Sequence, residues 1–272
     1  MKMHTAILSV AALAAISCSE AIHETNPEDT TKWGLVWIED FDGQEIDWSV
    51  WSRQPEGTSD ADRHMCDRAD LAYVQDGSLV LRGIKNDGKD PAEKRDYLTG
   101  GLISQGKKSF LNAKFEIRAK FTYAQGFWPA LWLLPDSDLY LQNGGSWEDQ
   151  GEMDIMEHFS LSTSIRQTAH NRYSISYNSK DPMNSASFEV KKGEWNVYGV
   201  EVYEDRLVFY TNGTKVLTYP KREGLKGQWP YNDYPFYIIL SAQIGGAAAG
   251  DPDPAQYPAT MWVDWIKVYE KI

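Results

Sequence analysis

Two cysteines in 272 residues leave this chain with almost no disulfide chemistry. Cys18 lies near the N-terminus and is read below as lipid-bearing, which leaves Cys66 without a partner, so the fold must be held by its core. Long hydrophobic runs are equally scarce: outside the first seventeen residues no segment is apolar enough to cross a membrane as a helix. No stretch repeats apolar residues at a sustained helical period. There is no phosphate-cradling glycine loop, no nucleophile-elbow serine and no His/Cys/Asp cluster with catalytic-metal spacing. Positive charge is short as well, with 27 Lys and Arg against 39 Asp and Glu for a net charge of −12. That balance argues against nucleic acid or other polyanions as partners, because such a chain repels them.

What the chain does have begins with an export signal over residues 1–17. Lys2 supplies the positive start, and Ala6–Ile16 is an apolar run too short to stay in a membrane. Ala15-Ile16-Ser17-Cys18 resembles a bacterial lipobox, with Cys18 becoming the lipid-bearing first residue. Ser19-Glu20 resembles the address that Bacteroidetes-type bacteria use for surface display. The expected location is the bacterial cell surface or outer membrane, with the lipid anchor as the membrane contact. An ordinary secretory signal with an incidental cysteine is the alternative. Residues 18–32 read as the lipidated Cys and a polar, flexible tether, and 33–272 as one domain.

From Trp33 onward short β runs are punctuated by turns. Gly77-Ser-Leu-Val-Leu-Arg, Lys114-Phe-Glu-Ile-Arg-Ala-Lys-Phe and Leu207-Val-Phe-Tyr alternate or run apolar. Asp76-Gly77 and Asn212-Gly213 are hairpin signals, the second joining Leu207–Tyr210 to Lys215–Thr218. So many short strands in a domain of this size predict an all-β, two-sheet antiparallel sandwich of jelly-roll type. Loops 53–70, 136–150 and 220–234 are long enough to wall a cleft.

The richest segment is Gly151-Glu-Met-Asp-Ile-Met-Glu-His158. Acid and apolar residues alternate to Ile155, so Glu152 and Asp154 share one face of a strand. Glu157 then arrives one residue late and would point into the apolar interior. A β-bulge around Ile155-Met156 restores all three carboxylates to one side. Glu152 and Glu157 then stand four strand steps apart, about 13 Å between Cα atoms. Inward-leaning side chains leave a carboxyl gap of about 5 Å, the separation of a retaining glycosidase. Asp154 between them adds a like charge, which keeps one carboxyl protonated near neutral pH. A solvated acidic face and a calcium site are the other readings of these residues, although a strand offers calcium few converging oxygens.

Glu152-Met-Asp-Ile-Met-Glu157 resembles the signature of glycoside hydrolase family 16 in its longer, bulged form, and residues 33–271 are similar to that family throughout. The pieces, in order, are Tyr97-Leu-Thr-Gly-Gly-Leu-Ile-Ser-Gln-Gly-Lys, Ala113-Lys-Phe-Glu-Ile-Arg-Ala-Lys and Gln125-Gly-Phe-Trp-Pro-Ala-Leu-Trp-Leu-Leu-Pro. After the acids come Trp195-Asn-Val-Tyr-Gly-Val-Glu, Tyr210-Thr-Asn-Gly, Pro235-Phe-Tyr-Ile-Ile-Leu, Gly245-Gly and Met261-Trp-Val-Asp-Trp-Ile-Lys-Val-Tyr.

The resemblance implies a concanavalin-like jelly roll with its substrate cleft on a concave sheet. It implies Glu152 as nucleophile, Glu157 as acid/base and Asp154 as assisting carboxylate. Trp147 matches an aromatic beside the scissile bond, and Trp128 and Trp132, four residues apart, share a face expected to line the cleft. His170 lies where members place a histidine beside the acid/base. His158 follows Glu157 and reads as a core histidine, while His64, Arg63 and Arg68 read as a solvated loop. No cofactor is needed for the chemistry. Some members hold a structural calcium on the convex side, to which Asp264 would contribute. Two segments depart from the family pattern. Trp147 is followed by Glu148-Asp149-Gln150 instead of proline, and the terminal motif reads Leu240-Ser241-Ala-Gln243, which puts Gln243 at the cleft. The implied partner is an oligo- or polysaccharide met by a monomer. The expected activity is that of an endo-β-galactosidase on poly-N-acetyllactosamine of mucin-type O-glycans, with endo-β-1,3(4)-glucanase second. A non-catalytic surface lectin is the reading from another class.

Overall fold

The computed structural model describes residues 31–137 and 146–272. The expected signal, Cys18 and nearly all of the tether lie outside the described residues. Two antiparallel sheets of nine and eight strands make up the described chain. The helical pieces are short, Arg172–Ile175 and Gly246–Ala249 being α and Trp147–Asp149 and Pro254–Gln256 being 3-10 turns. No helix among the described residues is long and apolar enough to cross a membrane.

Both glycine turns form as their sequences require. Asp76 and Gly77 have φ of 51° and 70°, and Asn212 and Gly213 have 51° and 76°. Positive φ at two successive residues matches the twist of the strands on either side. Ser78–Lys85 and Thr214–Pro220 therefore return directly beside Ala72–Gln75 and Arg206–Thr211.

The inner faces of the sheets meet in one core, where Phe115, Ile117, Val200 and Phe209 of one sheet join Leu131, Leu133, Met153 and Leu240 of the other. Burying such side chains contributes roughly 1.5–3 kcal/mol each. Among the described residues the one cysteine, Cys66, is a free thiol.

The eight-stranded sheet sets the position of the acids. Its path runs Ser185–Glu189, Ser164–His170, Glu152–His158, Phe127–Pro135, Phe236–Ile244, Gly101–Ile103, Ser52–Arg53, with Ser109–Phe110 pairing with Phe236–Ile244 as the eighth strand. The acidic strand thus lies centrally and is hydrogen-bonded on both sides. On Phe127–Pro135 the strand period sends Leu131 and Leu133 into the core, and leaves Trp128, Ala130, Trp132 and Leu134 on the outer face.

Candidate active site

The register of the acidic strand contains the expected fault. Asp154 pairs with Trp132 and Met156 with Leu131, which leaves Ile155 as the extra residue. On the other side Glu152 faces His170 and Glu157 faces Arg166. Five steps along the acidic strand thus span four on its partner, and both glutamates emerge on one face. Ile155 and Met156 both enter the core, as a bulge demands.

A residue not singled out from the sequence holds the bulge. Gln167 is fully buried, and its Nε2 donates to Ile155 O at 2.7 Å and to Tyr210 O at 3.0 Å. Ile155 sits where the ladder is broken, so the side chain supplies the donor that regular pairing would have given. Its inward phase between Ile165 and Ala169 is the one signal that could have flagged it: a polar residue at a core position needs a partner.

The outer face carries a cavity of about 360 Å³ lined by Trp128, Trp132, Trp147, Glu152, Asp154, Glu157 and Gln243, together with Ser59, Ala61, Asp62, Ala130 and Leu134. Trp147 is 39 % exposed, and its ring stands edge-on to His170 with centroids 6.1 Å apart. Trp128 Nε1 donates to Glu157 Oε1 at 3.0 Å. Trp132 Nε1 donates to Ser241 Oγ at 3.1 Å, and Ser241 donates on to Gln54 Oε1 at 2.6 Å. The indole of Trp132 is therefore fixed by a two-step relay reaching the loop after Ser52–Arg53. Gln243 is 2 % exposed, and its Oε1 has no partner among the described residues.

Electrostatics within the cavity are unfavourable to three charges. Burial, then the neighbouring charges of Asp154 and Glu157, push the Glu152 carboxyl well above its usual range. Burial and Asp154 do the same to Glu157, while the Trp128 N–H and the Arg166 charge pull the other way. Crowded carboxylates of this kind retain a proton toward neutral pH. His170 Nε2 lies 3.0 Å from Asp154 Oδ2.

That contact corrects the expected place of His170. Antiparallel counting puts Arg166 beside Glu157 and His170 opposite Glu152, so the imidazole serves the Asp154 end of the site. It is held there by its own backbone: Tyr231 Oη donates to His170 O at 2.8 Å, and Asn171 Nδ2 reaches Tyr231 Oη at 3.0 Å, Tyr219 Oη at 2.8 Å and Gln228 O at 3.0 Å. The 220–234 loop, expected as a wall, thus buttresses the strand end through the buried Tyr231 and does not line the cavity. Of loop 136–150, Trp147 lines the cavity, and residues 138–145 lie outside the described residues.

His158 is fully buried, with Nε2 2.7 Å from Ser162 O and its ring packed against Phe121 and Tyr123, as expected of a core histidine. Arg68 pairs with Asp70 and Asp87 and does not reach the cavity. Asp264, the expected calcium ligand, stands at a bulge of the nine-stranded sheet and is taken by the Arg118 guanidinium. A carboxylate so neutralised offers a cation little. One group of metal-type donors occurs among the described residues, with atoms of Glu152, Asp154 and His170 all within 4.8 Å of one another. Two carboxylates and an imidazole on adjacent strands of one sheet lack the wrap of oxygens that calcium takes.

Comparison with known proteins points to one family and fold. The family model described as glycosyl hydrolases family 16 matches residues 63–267. A keratan-sulfate endo-1,4-β-galactosidase from Sphingobacterium multivorum is 31 % identical over 89 % of this chain, which spans 56 % of that protein's length. The solved laminarinase of Rhodothermus marinus superposes with a TM-score of 0.79 at 26 % identity, covering 90 % of this chain and 100 % of its own. A structure from work on endo-acting O-glycanases, which members of the human gut microbiota express to initiate mucin breakdown, superposes with a TM-score of 0.73 at 27 % identity. That match covers 86 % of this chain and 98 % of the other.

Proposed function

The chain belongs to glycosyl hydrolase family 16 and is an endo-β-glycosidase; from that premise we propose that it cleaves by double displacement with retention, Glu152 being the nucleophile and Glu157 the acid/base. The observation that carries this reading is the bulged register, which sets the two glutamates four partner steps apart on one face. In the first step Glu152 attacks the anomeric carbon as the glycosidic bond breaks, and Glu157 gives its proton to the departing oxygen. In the second, the now ionised Glu157 takes a proton from water, which attacks the same carbon and releases Glu152. The Trp128 bond occupies Glu157 Oε1 and leaves Oε2 to carry the proton. When Glu157 is protonated, one repelling charge on Glu152 is gone, which favours an ionised nucleophile. Asp154, in contact with His170, steadies Glu152.

The preferred substrate in this reading is a poly-N-acetyllactosamine stretch of mucin-type O-glycan. The likeness to a galactosidase and to an O-glycanase structure supports it. The laminarinase likeness supports the second reading, an endo-β-1,3(4)-glucanase. A lectin would have no use for two crowded glutamates whose carboxyls are both raised by burial and neighbouring charge. Parallel digestion of laminarin, lichenan, mucin and poly-N-acetyllactosamine, with the first product's anomer followed by NMR, tests all three. A β-anomer from one substrate, abolished in Glu152→Gln, is expected. An initial α-anomer rejects retention, and cleavage of none favours the lectin.

Surface display through Cys18 belongs to the same reading. Incorporation of labelled palmitate in a bacterial host, lost in Cys18→Ala, is the expected result; a label that persists in the variant refutes the anchor.

A further inference from the structure

One wall of the cavity comes from Ser59, Ala61 and Asp62, a segment with no part in the chemistry above. It is firmly docked. Asp60 Oδ2 accepts the Ala247 N–H at 2.8 Å, and Asp60 Oδ1 pairs with Arg63 at 2.9 Å. Gly246, at φ +82°, admits this dock, because a Cβ there would stand 2.7 Å from the Asp60 carboxylate. On its other flank the segment is sewn to the strand Tyr97–Thr99. Thr99 N donates to His64 O at 2.7 Å, Cys66 N to Thr99 O at 2.9 Å, and Arg95 Nη1 to Met65 O at 2.7 Å.

Between these anchors the Asp62 carboxylate is held in place. Its Oδ1 accepts both the N–H and the hydroxyl of Ser59 at 2.9 Å. Its Oδ2 lies against Gly57, where a Cβ would come within 2.1 Å, and has no hydrogen-bond partner among the described residues. Beyond the three acids of the chemistry above, the cavity lining therefore includes two acceptors without donors, this carboxylate and the buried Oε1 of Gln243. Only a ligand rich in donors satisfies them. Free sugar hydroxyls are such donors. Sulfate or carboxylate substituents are not, and a fixed carboxylate repels them.

Resting on the glycosidase reading, we propose that Asp62, with Gln243, is a specificity-determining pair that accepts hydrogen bonds from free hydroxyls of one substrate sugar and rejects a sugar bearing an anionic group at that position. Because the wall is docked before substrate arrives, little ordering is needed on binding and the contact is felt in KM.

The test compares kcat and KM of the parent and Asp62→Asn on a neutral oligosaccharide that the parent cleaves and on its sulfated counterpart, with Tm checked for each protein. The parent is expected to favour the neutral sugar by about tenfold or more in kcat/KM. Asp62→Asn is expected to lose about tenfold on the neutral sugar, through KM, and to bring the two sugars within about threefold. Gln243→Leu removes an acceptor without charge and is expected to raise KM on both sugars alike. Equal cleavage of both sugars by the parent, or an unchanged preference in Asp62→Asn, overturns the proposal. Asp62→Ser replaces the Asn variant if that one melts early. Should the parent cleave no glycoside, the glycosidase reading fails separately, and calorimetric binding of the same two sugars decides on Asp62. Tighter neutral binding that vanishes in the variant supports the pair, and equal binding overturns it.

Discussion

Trp128→Phe is the sharpest perturbation of this site, because it removes one hydrogen atom's worth of chemistry and keeps most of the ring. Trp128 Nε1 donates to Glu157 Oε1 at 3.0 Å, and its ring packs 5.4 Å from Phe159. The bond stabilises the carboxylate form and so opposes the burial that raises the Glu157 carboxyl. Phenylalanine cannot donate, so the ionised form loses a partner and the acid form persists to higher pH. Hydrogen bonds to charged groups contribute about 1.5–3 kcal/mol. At about 1.36 kcal/mol per pH unit, the ceiling is roughly two units. Trp128 is half-buried, and water takes part of the vacated place, so a shift of about one unit is expected. The assay is the pH dependence of kcat/KM, whose basic limb reports the free enzyme's essential acid. That limb should move up by about one unit in Trp128→Phe. Trp132→Phe is the control: its N–H serves Ser241 and not an acid, so the limb should stay. A basic limb that stays or falls in Trp128→Phe, or moves equally in both variants, would refute Glu157 as the acid.

Further expectations follow from the same contacts. Glu157 has a raised carboxyl, so its stabilising contribution is complete below the unfolded-state pKa and is lost as pH rises through the folded-state value. Glu157→Gln should therefore melt above the parent at pH 8, with the gap closing toward pH 4; a gap independent of pH would contradict the burial argument. Gln167→Met keeps volume but leaves Ile155 O and Tyr210 O without their donor. It should cost about 2 kcal/mol in urea unfolding and lower kcat more than it changes KM, since the bulge aims Glu157. A less stable variant with full kcat would show that the bulge keeps its shape unaided.

Several parts of the fold could be read directly because they depend on neighbours in sequence. Asn212-Gly213 forces a tight turn wherever it falls, and the alternation Trp128, Ala130, Trp132, Leu134 fixes a shared face once a strand is granted. The late arrival of Glu157 is also local: a charge due in the core can be relieved only by one extra residue. Longer-range pairing was not readable in this way. His170 was expected beside Glu157, but the antiparallel register puts it opposite Glu152 and gives the place beside Glu157 to Arg166. The 220–234 loop was expected at the cleft, but it folds beneath it, because Tyr231 finds Asn171 and the His170 carbonyl in the interior.

By itself the sequence determined the strand-rich class, the cluster of three acids and the need for a bulge among them, because each follows from side-chain period and charge within a dozen residues. Tertiary structure alone decided what surrounds those acids. Which indole holds Glu157, which histidine meets Asp154, how Gln167 closes the broken ladder and why Asp62 stands at the cavity wall all depend on segments outside the acidic strand that the sheet and its loops bring beside it.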